Sequence, residues 1–336
     1  MNYLLSYTEV SMSHPYDSLT PDTIIEAVES LGYLSDNRIF PLNSYENRVY
    51  QVGIEEETPL IAKFYRPGRW SKEQILEEHD FIAELAEVEL PAVQPVKLDN
   101  CTLHEHQGFQ FALFPRYGGH APECDDADTL LQLGRLLGRI HQVGAVKPFQ
   151  HRPGITIEQY AINSYQFLLE SNFIPSDLIK AYQTLAEDCI KQVEAIWQSG
   201  IKPTTIRIHG DCHLGNILTR GDQFHFVDFD DSRMAPAIQD LWMFLSGDRH
   251  QQTAQLSELI DGYNEFYTFN TSELRLIEVF RTLRLMHYSA WLAKRWDDPA
   301  FPHSFTWFNT PRYWADHILE LREQLAALQE PPLSLF

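Results

Sequence analysis

The sequence predicts an α+β fold with two lobes, a small N-terminal antiparallel sheet carrying one main helix and a larger, mostly helical C-terminal lobe. The first third of the chain contains short strand-like runs interrupted by one helical pattern, whereas apolar residues recur at helical period over most of the remainder. A chain of 336 residues, 44% hydrophobic and 12% aromatic, can bury a core large enough for two lobes. The break in pattern at 115–119 places the boundary between lobes 1–117 and 118–336.

The N-terminal lobe is expected to begin with a short helix. Thr20 is a capping residue and Pro21 suits the first helical position, so this helix should extend to about residue 31. After Ser71, apolar residues at helical spacing predict the main helix, which Pro91 ends. Strand-like runs separated by polar turns lie at 38–42, 49–54, 60–65, 93–98 and 109–114.

The C-terminal lobe is expected to be a set of helices interrupted by one hairpin. Helical patterns cover 129–144, 176–197, 236–245, 272–296 and 311–328. Between them, apolar residues at 217–218 lead into a strand, Gly221-Asp222 is a turn signal, and 224–227 reads as the returning strand.

The charge and the cysteines narrow the class of protein. Lys and Arg total 26 against 47 Asp and Glu, a formal charge of −21, which argues against a nucleic-acid or anionic-membrane surface. No basic N-terminal stretch precedes an apolar one, and no apolar run approaches the ~20 residues that span a bilayer. The four cysteines lack the spacing of a disulfide framework or a structural zinc site. We expect a cytoplasmic monomer with no nucleic-acid or membrane partner.

The predicted hairpin carries residues suited to phosphoryl transfer. Residues 208–218 read Ile-His-Gly-Asp-Cys-His-Leu-Gly-Asn-Ile-Leu, and 225–231 read His-Phe-Val-Asp-Phe-Asp-Asp. A base, an amide and a carboxylate in this order are what a Mg²⁺-assisted transfer from ATP requires. Asp211 would accept or orient the proton of the attacking hydroxyl, while Asn216 and Asp228 would hold Mg²⁺. The sequence leaves open whether Asp230 and Asp231 contact the metal or cap the turn.

Lys63 is the candidate for binding the nucleotide phosphates. It lies in an apolar strand, where a charge needs a partner, and the main helix offers Glu77 and Glu78. Glu78 shares the inward face of the helix, so we favour Glu78, although a solvent-facing Lys63 on an edge strand remains open. The turn at 43–48 stands where a phosphate-binding loop would lie. It contains no glycine, but the Ser44 hydroxyl offers a donor.

Two further readings concern the histidines and a downstream carboxylate. His209, His213 and His225 with Cys212 suggest zinc, but the spacing fits no usual ligand set, and we interpret Cys212 as a small packed residue. His209 instead suits a role in bracing the loop through hydrogen bonds to backbone. Asp240 could accept backbone N–H groups of the same loop and hold its shape.

These motifs resemble the aminoglycoside phosphotransferase and choline kinase superfamily, a two-lobed relative of protein kinases, and within it the bacterial stress response kinases. The segments that carry the likeness are 43–50, 63–67, 75–79, 208–218, 227–230, 239–243, 290–292, 295–296, 298–302 and 328–333. The resemblance implies a protein-kinase-like fold and an ATP-dependent serine/threonine kinase that phosphorylates itself and protein substrates. It makes Asp211 the proton acceptor, Asn216 and Asp228 the Mg²⁺ ligands, and Ser44 a residue contacting ATP.

Two other functions stay open at this point. Pro236 and a predicted helix follow Asp228 almost at once, without the long activation segment that presents a peptide in eukaryotic protein kinases. A small-molecule kinase acting on an amino alcohol or sugar is therefore the alternative, since an acidic surface could attract a cationic acceptor. A non-catalytic nucleotide-binding regulator is a third possibility, which the presence of all three catalytic positions disfavours.

Overall fold

A computed structural model describes residues 14–124, 126–221 and 223–335 of the chain. Its N-terminal part is a five-stranded antiparallel sheet in the order β1-β2-β3-β5-β4. The strands are β1 (Ser35–Pro41), β2 (Arg48–Ile54), β3 (Leu60–Phe64), β4 (His104–His106) and β5 (Phe109–Pro115). Helix α1 (Pro21–Glu29), capped by the Thr20 side chain, packs on this sheet to form one apolar core. The sheet with its helix confirms the predicted fold class.

Strand β3 is central, and this decides the environment of Lys63. It pairs with β2 on one side and β5 on the other, so Lys63 lies opposite Val49 and Ala112. The Lys63 side chain is 7% exposed. The alternative of a solvent-facing charge on an edge strand is therefore wrong.

Helix α2 (Lys72–Glu87) begins at a capping box, in which Ser71 and Gln74 each bond the other's backbone N–H. Its buried face carries Ile75, Phe81 and Glu78, so the carboxylate points inward from an otherwise apolar face. This orientation agrees with the helical-face expectation.

The strand predicted at 93–98 is wrong. The segment makes isolated backbone hydrogen bonds, from Val93 N–H to Phe226 O and from Val96 N–H to Leu113 O, each 2.9 Å or shorter. Pro95 lies between them and has no N–H to donate, so a continuous ladder cannot form. The fifth strand of the sheet is instead β4.

The C-terminal part is helical and contains the larger apolar core. Its helices are α3 (Ala127–Gly144), α4 (Asn163–Glu170), α5 (Ile179–Trp197), α6 (Ile238–Leu241), α7 (Arg249–Asn264), α8 (Ile277–Lys294), α9 (Ala300–Ser304) and α10 (Pro311–Ala327). The prediction at 236–245 is wrong at both ends, because Pro236 closes a strand and residues 242–244 form a 3₁₀ turn. The helix expected at 272–296 likewise starts with a 3₁₀ turn and becomes α-helical at Ile277.

Helix α7 was not predicted, yet it packs closely on α3. Gly134 and Gly138 of α3 face the backbone carbonyls of Leu259 and Tyr263, and a Cβ at either glycine would collide with them. The close approach needs glycine here because the two helix backbones almost touch. A short π-helical turn at 158–162 that precedes α4 was also not predicted.

Two short ladders interrupt the helices and carry the candidate site. The strand β6 (Thr205–Ile208) pairs with β9 (Arg233–Pro236), and β7 (Ile217–Arg220) forms a hairpin with β8 (Gln223–Phe226). The predicted hairpin is confirmed. Gly221 has φ of 62°, as a tight turn requires, while its partner in the turn signal, Asp222, lies outside the described residues.

The expectation about an N-terminal targeting segment rests on residues 1–13, which also lie outside the described residues. Within the part of the chain that the structure describes, no helix is both long enough and apolar enough to span a bilayer.

Candidate active site

The loop between β6 and β7 supplies Asp211 and Asn216. It opens with Gly210, whose φ of 88° and whose close approach to the Asp231 carbonyl exclude a side chain. The Asn216 amide nitrogen donates to the Asp211 carbonyl at 2.9 Å, which closes the loop on itself. Both side chains thus come from one compact turn.

Buried groups brace this loop from below. The Asp240 carboxylate accepts the N–H groups of His209 and Gly210 at 2.8 and 2.9 Å, and it also contacts His141 Nε2 at 3.0 Å. Asp240 is fully buried, so these bonds fix the carboxylate and the loop together. The predicted role of Asp240 is confirmed.

His209 braces the same loop, as predicted. Its Nε2 lies 2.9 Å from the Val227 carbonyl, and its Nδ1 accepts the N–H of Asp211. The ring therefore connects the loop to the residue before Asp228. Next to it, Val227 N–H donates to the Asn216 carbonyl at 3.0 Å, which places Asn216 and Asp228 at the same end of the hairpin.

Asp228 ends the hairpin in a left-handed conformation, with φ of 59° and ψ of 61°. Its side chain is 51% exposed, and one oxygen lies 3.0 Å from Lys63 Nζ. Left-handed backbone is uncommon outside glycine, although Asp tolerates it better than most residues. The conformation turns this carboxylate toward the cleft and the lysine of β3.

Lys63 is surrounded by three carboxylates. Its Nζ lies 3.0 Å from Asp228, 3.3 Å from Asp230 and 3.6 Å from Glu78. Burial alone would lower the pKa of Lys63, but these three negative charges outweigh it and hold the pKa well above its ordinary value. Lys63 is therefore a permanently charged group.

Glu78, and not Glu77, is the partner of Lys63. Glu77 instead accepts the backbone N–H groups of residues 150–152 with its two oxygens. The two adjacent glutamates thus have separate tasks. Glu78 faces the lysine, and Glu77 attaches a C-terminal loop to α2.

Arg152 was missed by the sequence reasoning. Its side chain is fully buried and donates to Glu78 at 2.8 Å and to the carbonyls of Asp230 and Ser232 at 2.8 and 2.9 Å. It therefore connects α2 to the segment after Asp228. No spacing signal marks this arginine, since the contact joins residues 74 to 80 positions apart in the chain.

Asp230 and Asp231 are ion-paired. Arg69, also missed, contacts Asp230 with one guanidinium nitrogen and Asp231 with another, the second at 2.8 Å. Burial alone would raise both carboxyl pKa values, but Arg69 lowers them, that of Asp231 to about 2. The sequence left open whether these two residues contact the metal or cap the turn. The structure shows a third arrangement, in which both pair with an arginine.

Asp211 is held by a residue from a distant helix. The Arg284 guanidinium of α8 donates to Asp211 Oδ1 at 2.6 Å, and His213 Nε2 lies 3.5 Å from Oδ2. Burial alone would raise the pKa of Asp211, but the His213 hydrogen bond and the Arg284 charge outweigh it and depress the pKa well below its ordinary value. Asp211 is a carboxylate at any physiological pH.

The turn at 43–48 is anchored to the helical part of the protein. The Ser44 hydroxyl donates to the Asn47 carbonyl at 3.2 Å, and Tyr45 packs on Phe305. Glu46 accepts from Trp291 and ion-pairs with Arg295 at 2.9 Å. The turn is thus shaped by side chains rather than by glycine.

The residues present fit a Mg²⁺ ion. Asp228 and Asn216 offer carboxylate and amide oxygens, the hard ligands that Mg²⁺ prefers. The amide nitrogen of Asn216 is already used, which leaves its oxygen as the free end. Among the three carboxylates at Lys63, Glu78 and Asp230 also pair with arginines, whereas Asp228 is the exposed one.

The zinc candidates have other contacts. His209 bonds backbone, His213 accepts the Gly215 N–H, and the His225 ring packs at a tilt on Tyr117 with the centroids 4.3 Å apart. Cys212 is fully buried, and burial raises the pKa of its thiol. Within the described residues, no three His, Cys, Asp or Glu side chains are grouped to hold a metal.

Comparison with known proteins agrees with this geometry. The phosphotransferase enzyme family matches residues 39–277. Stress response kinase A of Shigella flexneri is 47% identical over 320 residues, which is 95% of this chain and 97% of the relative. Stress response kinase A of Escherichia coli K12 is 46% identical over the same shares, and the serine/threonine protein kinase RdoA of Salmonella typhimurium is 43% identical.

Two solved structures with a similar fold are named as a kinase and a phosphotransferase. Amicoumacin kinase hAmiN, in complex with AMP-PNP, Ca²⁺ and Ami, has a TM-score of 0.70 at 20% identity, covering 90% of this chain and 92% of its own. Spectinomycin phosphotransferase APH(9)-Ia with ADP has a TM-score of 0.64 at 15% identity, covering 90% and 98%. These identities establish the fold alone. On the sequence matches, this chain belongs to the phosphotransferase enzyme family and is a phosphate-transferring enzyme, a kinase.

Proposed function

We propose that this chain is an ATP- and Mg²⁺-dependent serine/threonine protein kinase that also phosphorylates itself. The observation that carries the proposal is the convergence of Lys63, Asp228 and Asp211 from separate elements of one cleft. The protein acceptor is supported by relatives at 43–47% identity, one of which is named a serine/threonine protein kinase.

The nucleotide phosphates would lie between the N-terminal part, 1–117, and the C-terminal part, 118–336. Lys63, held by Glu78, would offer positive charge to the phosphates. The Ser44 hydroxyl would contact ATP after exchanging its present bond to the Asn47 carbonyl for one to a phosphate. Asp228 and Asn216 would hold Mg²⁺, which neutralises charge on the transferring phosphate when bound. Arg152 and Asp240 keep these groups in place before the nucleotide arrives.

Asp211 would receive the acceptor hydroxyl. Its depressed pKa makes it a poor proton sink, so its main task is to orient the hydroxyl by a hydrogen bond and stabilise the transition state electrostatically. The bond from phosphorus to the ADP oxygen would break as the bond to the serine or threonine oxygen forms, and the hydroxyl proton would pass to an oxygen of the transferred phosphate or to solvent while Asp211 orients the hydroxyl.

The direct test is mass spectrometry of phosphosites after incubation with Mg²⁺-ATP. The purified chain alone and a bacterial extract are both incubated, with Asp211→Asn as the matched variant. We expect phosphoserine or phosphothreonine on both, lost with Asp211→Asn. If an amino alcohol or sugar is phosphorylated, while neither the chain itself nor any protein of the extract is, the chain is a small-molecule kinase instead.

A further inference from the structure

Arg284 occupies the oxygen of Asp211 that an acceptor hydroxyl needs. Its guanidinium donates to Oδ1 at 2.6 Å, while His213 lies 3.5 Å from the other oxygen. Both oxygens of the carboxylate thus lie near basic side chains, and the short contact is the one at Oδ1. An incoming hydroxyl must displace Arg284 or share Oδ1 with it.

The Arg284 side chain is free to leave. It is 45% exposed, and its partner Asp211 is 26% exposed, so the pair is reached by solvent. An ion pair that solvent reaches is weak, so a competing anion can exchange with Asp211 at little cost. Arg284 also lies within electrostatic reach of Tyr288, on the next turn of α8.

A second arginine lies on the same side. Arg233 pairs with Ile208 across the β6–β9 ladder, three residues before Asp211. Its side chain is 9% exposed and contacts Asp231 at 3.4 Å. Its Nε and Nη1 have no hydrogen-bond partner among the described residues. The guanidinium also lies over the rings of Trp70 and Tyr160, at 5.0 and 5.4 Å from their centroids. The Asp231 carbonyl lies against Gly210, the residue before Asp211.

We propose that Arg284 is a specificity-determining residue that selects acceptors with a carboxylate beside the hydroxyl, assisted by Arg233. A substrate carboxylate would draw Arg284 away from Oδ1 and release that oxygen for the acceptor hydroxyl. A cationic acceptor would be repelled by the guanidinium and would leave Asp211 covered. The acceptor is then a serine or threonine in an acidic segment, and this inference rests on the proposed function.

The positive charge of Arg284 beside Asp211 is opposite in sign to the net charge of the whole chain. A protein of net charge −21 would attract cationic acceptors by its overall field. Arg284 at 2.6 Å from the catalytic carboxylate opposes that field at the point of reaction. At short range a specific ion pair decides specificity more than the distant field, which salt screens beyond about 8 to 10 Å.

The test compares serine peptides that differ only in the flanking charge. Acceptors flanked by Glu, Gln or Lys are assayed at saturating Mg²⁺-ATP with the unmodified chain, Arg284→Glu and Arg284→Lys. Arg312→Glu is the matched control, because Arg312 is a 90% exposed arginine of α10 that pairs with Asp316. Thermal unfolding and Mg²⁺-ATP affinity verify that each variant is folded.

We expect kcat/KM for the Glu-flanked peptide to exceed that for the Lys-flanked one by about 10- to 100-fold, since the guanidinium attracts a carboxylate and repels an ammonium group. Arg284→Glu should abolish or reverse this preference, Arg284→Lys should retain part of it, and Arg312→Glu should leave it unchanged. Equal use of the peptides, or a preference that survives Arg284→Glu, would overturn the inference while the kinase assignment stands. If no peptide is phosphorylated but a cationic amino alcohol is, both the inference and the proposed function fail.

Discussion

The two sides of the cleft are built differently. Around Lys63 the side chains of Glu78, Asp230 and Arg152 are at most 4% exposed, and both carboxylates are ion-paired: Glu78 with Lys63 and Arg152, and Asp230 with Lys63. Around Asp211 the partners are Arg284 and His213, with side chains 45% and 40% exposed. The proposed nucleotide side, around Lys63, is thus mostly buried and ion-paired, with Asp228 half exposed. The proposed acceptor side, around Asp211, is an ion pair that solvent reaches.

This difference separates two requirements of a kinase. Positions that hold the same phosphates in every turnover can be fixed in advance, because buried and paired charges lose little freedom when the ligand binds. A position that meets varied hydroxyls must exchange partners, so its own contact has to be weak. The four predictions that follow test this difference between the buried groups around Lys63 and the exposed pair at Asp211.

The largest effect is expected at the acceptor side itself. Asp211→Asn keeps the size of the side chain but removes the charge that orients the hydroxyl, so kcat should fall by about 10²- to 10⁴-fold. Because the nucleotide network is separate, Mg²⁺-ATP affinity measured by calorimetry should stay close to that of the unmodified chain. Undiminished autophosphorylation in this variant would remove Asp211 from the mechanism.

A matched pair of arginine substitutions compares the two sides in stability. Arg152→Met leaves Glu78 and two carbonyls buried without their donor and should lower the free energy of unfolding by about 3–5 kcal/mol. Arg284→Met breaks the surface pair and should cost only about 0–1 kcal/mol. Denaturant unfolding of both variants gives the comparison. Equal losses would mean that the two sides are equally rigid.

The exposed carboxylate on the nucleotide side provides the third comparison. Asp228→Asn should weaken Mg²⁺-ATP binding by at least the roughly 10- to 100-fold loss typical of a residue supporting a metal site, while binding of ATP without Mg²⁺ changes little. Asp316→Asn, an exposed carboxylate of α10, serves as the control. An equal loss with and without Mg²⁺ would exclude a role as metal ligand.

The smallest effect concerns a buried carboxylate outside the cleft. Glu273 is 2% exposed and accepts backbone N–H groups, including that of Ile238 at 3.2 Å, and burial raises its pKa from 4.5 to about 7. A raised carboxyl pKa contributes stability below the unfolded value and loses it as pH rises through the folded one. Between about pH 4.5 and about 7, the unmodified chain should lose about 1 to 3 kcal/mol relative to Glu273→Gln.

Unfolding free energies of the two chains measured across this range provide the test. Glu320→Gln, which removes a half-exposed carboxyl of α10, is the control. A constant difference between the unmodified chain and Glu273→Gln across the range would show that Glu273 does not titrate there.

Much of the nucleotide side could be predicted because its signals are local. Apolar residues around Lys63 predicted a strand, the helical face selected Glu78, and Gly221 with its neighbours predicted the hairpin that ends at Asp228. The prediction of a strand at 93–98 was wrong because Pro95 interrupts a run that is otherwise apolar enough to form a strand. Helix α7 was overlooked although Asp248 and Gln251 form a capping box at its start.

The sequence by itself determined the fold class, the strand lysine, the helix glutamate and the hairpin that brings Asn216 beside Asp228, because each depends on patterns within a few residues. Only the tertiary structure decided that Arg152 joins Glu78 to the segment after Asp228, that Arg69 pairs with Asp230 and Asp231, and that Arg284 covers Asp211. These contacts join residues about 70 to 160 positions apart. Short-range periodicity in the sequence does not predict such contacts. The long arginine side chain can pair with whichever carboxylate the fold brings near it, however far apart the two residues are in the chain.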